Sequence, residues 1–159
     1  MLFFILFSLY LFKSKSYTMY LYLQKIHSWW AYLALFLLFI AVINSFIGYT
    51  TKKEFLPKDR KIALFTLISI HIQLVIGLLL YFESPLGKAS FGQMKDAALR
   101  LTSLEHPLLN IIAIALITIG WSKHKKGVTN EAKFKAISFF YAFGLVLILI
   151  RIPWSLWFK

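Results

Sequence analysis

The chain has 159 residues and no cysteine, which excludes disulfides, thiolate metal sites, iron–sulfur ligation and cysteine nucleophiles together. It also lacks a glycine-rich phosphate loop and a nucleophile elbow. What remains for chemistry is four histidines, His27, His71, His106 and His124, and one arginine at the edge of an apolar run, Arg151. Neutral imidazole is a good axial ligand for haem iron. Ionisable residues inside apolar runs usually face a bundle interior or a functional cavity. His124, in Lys123-His124-Lys125-Lys126, reads as a solvated residue at the edge of a span.

Residues about 3.6 apart share a helix face. His27, Ala31, Ala34, Leu38, Ala41, Ser45 and Gly48 form one stripe, mostly of small residues. Ser103, His106, Asn110, Ala113, Ile117 and Gly120 form another. Such a face, topped by a histidine, admits either a flat macrocycle or a closely packed helix; small residues pack membrane helices without any cofactor too. His71 differs: Thr66, Ser69, Gln73 and Gly77 make a small, polar stripe, and His71 lies well round the helix from it, among Leu64, Leu67, Leu74, Val75 and Leu78. There it must be neutral and either hydrogen-bonded or coordinated. Three histidines on three helices of a minimal bundle point towards coordination, with His27, His71 and His106 as axial haem-iron candidates. Gln73, Asn110 and Tyr141 could orient such ligands or a quinone carbonyl, or simply bond between helices. Arg151 shares a face with Tyr141, Gly144 and Ile148. It suits a haem propionate, a pairing with Glu83 or Glu105, or snorkelling to lipid phosphate.

Heights leave the pairing open. At about 1.5 Å per helical residue, His71 lies about 15 Å beyond Lys61, His106 about 25 Å before Lys123, and His27 about 37 Å before Lys52. Trans-axial ligands need similar heights, and neither neighbouring pair meets that on this count.

The elements that must position these residues follow from composition. The chain is 60% hydrophobic and only 15% charged, with a mean hydropathy of +0.73, against about 25% charged in a soluble domain. A soluble enzyme and a disordered chain are both excluded. Four runs are long enough to cross a bilayer core, at about 20 helical residues each: 29–49, 62–82, 104–121 and 134–152. They lack the alternation of barrel strands, so the expected fold class is all-α, a four-helix transmembrane bundle. A short amphipathic helix is expected in the middle outer loop from Gln93 to Leu104, with Met94, Ala97, Ala98, Leu101 and Leu104 on one side. Trp29, Trp30, Tyr49, Tyr81, Trp121, Trp154 and Trp157 sit at run ends, where aromatic residues favour the interface. Pro57, Pro85 and Pro153 fall at or beyond helix boundaries, and Pro107 suits a first helical turn. Residues 1–12 are apolar but too short to span, so 1–18 read as a leader, a peripheral anchor or an extension upstream of a start at Met19. Residues 19–159 read as a single four-helix domain.

The formal charge of +12 would suggest nucleic acid in a polar protein. Among apolar runs it points to the lipid bilayer and to loops facing the cytoplasm, with no nucleic-acid partner. Loops 51–61 and 122–135 carry five lysines and arginines each, against three in the middle loop. The positive-inside rule therefore puts both basic loops in the cytoplasm and both termini outside a bacterial inner membrane.

Several stretches resemble a family of small bacterial four-helix membrane proteins described as cytochrome b-like. They are Lys25-Ile26-His27-Ser28-Trp29-Trp30, the run from Ile70-His71 to Ile76-Gly77, and Tyr81-Phe82-Glu83-Ser84-Pro85. Met94-Lys95-Asp96, Leu99-Arg100, Glu105-His106 and Ile152-Pro153-Trp154 continue the match in order. The chain departs from that family after His27-Ser28, where Trp29-Trp30-Ala31 replaces a glycine–leucine–arginine run. A propionate role for that arginine would be lost or pass to Arg151. More distantly, the chain is similar to one half of a haem A synthase-like bundle, without a counterpart to its paired acidic residues. The resemblance implies haem b held among His27, His71 and His106. The expected function is electron transfer, an oxidoreductase-type component at most, with quinone or other respiratory subunits as partners. The alternative is a cofactor-free accessory or scaffold subunit of a larger membrane complex.

Overall fold

The computed structural model describes residues 2–157, with side chains from residue 17 onward; the leader expected at 1–18 falls largely outside the fully described residues. Four long helices make the chain: α1 (Leu2–Thr50), α2 (Pro57–Glu83), α3 (Ala97–Lys126) and α4 (Asn130–Ile150). A short fifth, α5 (Trp154–Trp157), follows. No strand occurs among the described residues. Each of the four is long and apolar enough to cross a membrane, and the molecule is an all-α, multi-pass membrane bundle.

Local chemistry sets the helix starts. Pro57 occupies the first turn of α2, where its missing N–H costs nothing, and Asp59 reaches back to accept from Leu56 N at 2.9 Å. Asp96 caps α3 by accepting from Ala98 N and Leu99 N at 2.8 and 3.0 Å, and Thr129 Oγ1 caps α4 by accepting from Ala132 N at 3.1 Å. Side-chain oxygens at these positions satisfy N–H groups that the first turn leaves without an internal partner.

The helices alternate up and down around a ring in chain order. Contacts between α1 and α2, α3 and α4, and α1 and α4 are extensive, while the α2–α3 seam is the loosest. The small-residue stripe of α1 faces inward as expected: Ala34, Leu38, Ala41 and Ser45 are all buried. So is the lower stripe of α3, through Ala113, Ile117 and Gly120. Gly144 of α4 meets this stripe at close range, since a Cβ there would lie 2.6 Å from Ile117 Cγ1 and 3.1 Å from Ala113 O. Its missing side chain serves helix contact. Polar side chains tie the ring together: Trp30 Nε1 donates to Ser69 O at 2.9 Å, and the Thr66 hydroxyl is shared between Ile62 O on its own helix at 2.9 Å and Leu37 O on α1 at 3.0 Å. Across the bundle Tyr141 Oη donates to Ala63 O at 3.0 Å, so Tyr141 is an interhelical tie. Phe36, Phe39, Phe46, Phe65 and Phe143 stay exposed on the outside, as lipid-facing surface requires.

Two expectations are corrected. The short helix expected within 93–104 forms from Ala97 and, rather than standing apart, runs without a break into the third span. The join is a π-turn, Leu101–Glu105, closed by His106 N donating to Leu101 O. Pro107 accounts for it, because proline can neither donate to the carbonyl four residues back nor tolerate it close by. His124 is not solvated either. It is 2% exposed, its Nδ1–H donates to Trp121 O at 2.5 Å, and its ring packs on Trp121 and Phe55. Its charged neighbours in sequence point outward from α3 while His124 takes the inward position of the last turn, where aromatic rings seal the basic end of the bundle.

Candidate functional site

At the end of the bundle opposite the basic loops, the helices part around a mostly apolar cavity of about 220 Å³. Its polar lining includes His27 and Tyr20 from α1, Gln73 and Tyr81 from α2, and His106 and Asn110 from α3; Ile152 and Trp157 close it from the C-terminal side. Trp157 is held there by stacking on Tyr32, with ring centres 4.6 Å apart.

The structure brings His27 and His106 together, their ring centres 6.3 Å apart and their planes at 79°. Counting from basic residues mismatched these heights because Lys52 and Lys123 are not level references. Counted from the helix ends, His27 stands 23 residues before Thr50 and His106 20 before Lys126. Those runs correspond to about 34 and 30 Å, so the two histidines fall close to one level.

His106 has a defined tautomer. Its Nδ1 lies 2.7 Å from the carbonyl oxygen of Arg151; a carbonyl only accepts, so Nδ1 carries the proton and Nε2 keeps its lone pair. Asn110 Nδ2 donates to His106 O at 2.6 Å and braces the same turn. The π-turn just before His106 belongs to this arrangement, since an extra residue in one turn re-aims everything beside it. Arg151 contributes its backbone; its guanidinium pairs with Glu105 at 3.3 Å, and Glu105 also takes Arg100 at 2.9 Å.

His27 is held by α2. Gln73 Nε2 donates to His27 O at 3.0 Å and lies 3.2 and 3.3 Å from the two ring nitrogens. Gln73 Oε1 is buried and has no hydrogen-bond partner among the described residues. One turn along, Gly77 gives the ring its place: a Cβ on Gly77 would sit 3.0 Å from His27 Cε1.

Whether haem suits these residues can be tested on this geometry. Both rings line the same apolar cavity from different helices, with their centres 6.3 Å apart, so two imidazole nitrogens turned into it would be near enough to hold one iron. Metal-binding histidines almost always donate their other N–H to a carbonyl, carboxylate or water, as His106 does. The orphaned Gln73 Oε1 is an acceptor beside His27 that lacks the N–H a ligating imidazole would offer it. The donor set fits.

His71 is not brought to this pair. It is exposed on the outer side of the α2–α3 seam, with Nδ1 2.8 Å from Leu67 O and Nε2 3.4 Å from Thr118 Oγ1. The Arg151 carbonyl and the π-turn escaped sequence reasoning, and Gly77 was legible only as one of a small, polar stripe. A backbone carbonyl has no sequence signature, but Pro107 directly after His106 was a legible sign of irregular backbone at that histidine.

Comparison with protein families, with curated proteins and with solved structures returns no match.

Proposed function

We propose that this chain is a b-type haem-binding protein of electron transfer in a bacterial inner membrane, with His27 and His106 as the residues that would hold the haem. The observation that carries the reading is that two imidazoles from different helices line one apolar cavity with their ring centres 6.3 Å apart. Haem, when bound, supplies a one-electron iron couple. The protein's own residues do the rest. Arg151 O holds the His106 proton and so presents Nε2 to the cavity. Gln73 and Gly77 seat His27 against α2. Apolar walls keep water out and set the local dielectric, which tunes a redox potential. Glu105 pairs with both Arg151 and Arg100 and offsets one of their two positive charges.

In this reading loops 51–61 and 122–135 face the cytoplasm, both termini and the site lie towards the outside, and a quinone or another respiratory subunit exchanges electrons with it. The rival is a cofactor-free accessory subunit, favoured by the hydrogen bonds that both histidines already make within the protein. A redox difference spectrum of detergent-purified protein, with pyridine haemochrome analysis, decides between them. The expected result is a Soret band, a sharp reduced α-band and one haem b per chain. His27→Ala and His106→Ala should each lose the α-band while His71→Ala keeps it. Colourless protein after expression with ample haem would overturn the reading in favour of the accessory subunit.

A further inference from the structure

His71 stands 14 residues into α2 from Pro57, which is about 21 Å along the helix and well inside the hydrocarbon. Its side chain is exposed, in a shallow groove of the α2–α3 seam between Ile68, Ile72 and Val75. Those three are 45%, 38% and 57% exposed, so the groove opens to lipid.

The hydrogen bonds there leave a specific deficit. Leu67 O, 2.8 Å from Nδ1, can only accept, so the ring proton is on Nδ1 and Nε2 is an acceptor. The polar atom beside Nε2 is Thr118 Oγ1 at 3.4 Å, but that hydroxyl has a single proton and Ile114 O lies nearer, at 2.7 Å. Among the described residues, His71 Nε2 is therefore left with one poorly placed donor, the Thr118 hydroxyl, whose single proton has a nearer acceptor. In hydrocarbon an unsatisfied polar group costs several kcal/mol, and water is not there to answer it. The missing partner is a hydrogen-bond donor that travels in the bilayer and carries an apolar body for the flanking aliphatic side chains.

We propose that this groove binds the head group of a bilayer-soluble hydroquinone, whose phenolic O–H donates to His71 Nε2 while its ring packs on Ile68, Ile72 and Val75. The choice of hydroquinone among hydroxyl-bearing solutes rests on the electron-transfer reading; the need for a donor does not. A phenol is a stronger donor than an alcohol, and a flat ring fits a shallow seam.

The test uses the full chain in lipid nanodiscs with ¹⁵N-labelled histidine, in the reduced state, with decyl-hydroquinone as the probe. The expected result is a saturable shift of the His71 Nε2 resonance, absent with the dimethyl ether of the same compound, which has no O–H. His71→Leu should abolish probe binding. Three results would overturn the proposal: no shift at saturating probe; an equal shift with decanol, which would make the site a general hydroxyl acceptor for lipid; or a shift set by the protein-to-lipid ratio without probe, which would assign the groove to a second copy of the chain. The optical spectrum of the same sample reports haem independently. A colourless protein that gives the shift retains this site without the haem reading, and a haem-loaded protein without the shift does the reverse.

Discussion

Replacing Gly77 with alanine separates the function of the site from the stability of the fold. The new Cβ would lie 3.0 Å from His27 Cε1 and 3.4 Å from Nδ1, so the imidazole must give way by a few tenths of an ångström. Overpacking a closed core costs about 1–3 kcal/mol. Here the ring borders a cavity of about 220 Å³ and can turn into it, so most of that cost is avoided. Alanine in place of glycine inside a helix returns about 0.8–1 kcal/mol. The net change in stability should stay within about 1 kcal/mol of the parent, of either sign. The ring's displacement, however, acts on its contacts with Gln73 Nε2, at 3.2 and 3.3 Å. Loss of a group that orients a metal ligand typically costs 10–100-fold in affinity, and binding constellations tolerate about 0.5 Å of error. On the haem reading, Gly77→Ala should therefore melt in detergent near the parent temperature yet bind haem about 10- to 100-fold more weakly in a titration followed at the Soret band. Parent-like affinity would refute the close approach of His27 to Gly77 as the reason for the glycine. Large destabilisation would refute the claim that the cavity gives the ring room to move.

Two further substitutions probe the scaffold. At Gly144 the same exchange has no cavity to relax into, since the Cβ would meet Ile117 Cγ1 at 2.6 Å and Ala113 O at 3.1 Å, and Ile117 is fully buried. Gly144→Ala should lower stability by a net of up to about 2 kcal/mol in thermal melts, the overpacking cost of about 1–3 kcal/mol less about 1 kcal/mol of helix propensity, and on the haem reading it should leave the spectrum of the folded protein unchanged. At the basic end, the buried carboxylate of Asp59 accepts from Asn44 Nδ2 at 2.9 Å, Lys53 Nζ at 3.0 Å and Leu56 N at 2.9 Å. Asp59→Ala should cost about 2–3 kcal/mol, the range for a hydrogen-bonded charged group. Amide exchange should rise first in residues 51–56; protection unchanged there would show that the carboxylate does not hold this loop.

Much of the molecule was legible in one dimension because a bilayer imposes simple rules. Backbone groups must bond internally in lipid, so four long apolar runs can only be four helices. Small residues and polar side chains turn inward because a lipid-facing surface has no use for them, which is why the stripes through Ala34, Leu38 and Ala41 and through Ala113 and Ile117 read correctly from spacing. The candidate ligands were named for the same reason. Which of them meet was decided in three dimensions. Pairing depends on where each helix ends and how far its neighbour is offset, and the basic residues used as rulers stand at different distances from those ends. Gln73 was visible as a polar residue, but its seat beside His27 was not. The proton of His106 depends on a carbonyl that any residue at position 151 would present, and its aim depends on a π-turn forced by Pro107. His124 shows the limit from the other side: four consecutive polar residues looked solvated, yet the last turn of α3 points one of them inward onto Trp121 and Phe55. Sequence determined the medium, the helices and the list of chemically able side chains, because those follow from local polarity and period. Tertiary structure decided their partners, because proximity between helices depends on offsets and backbone irregularities that no local pattern records.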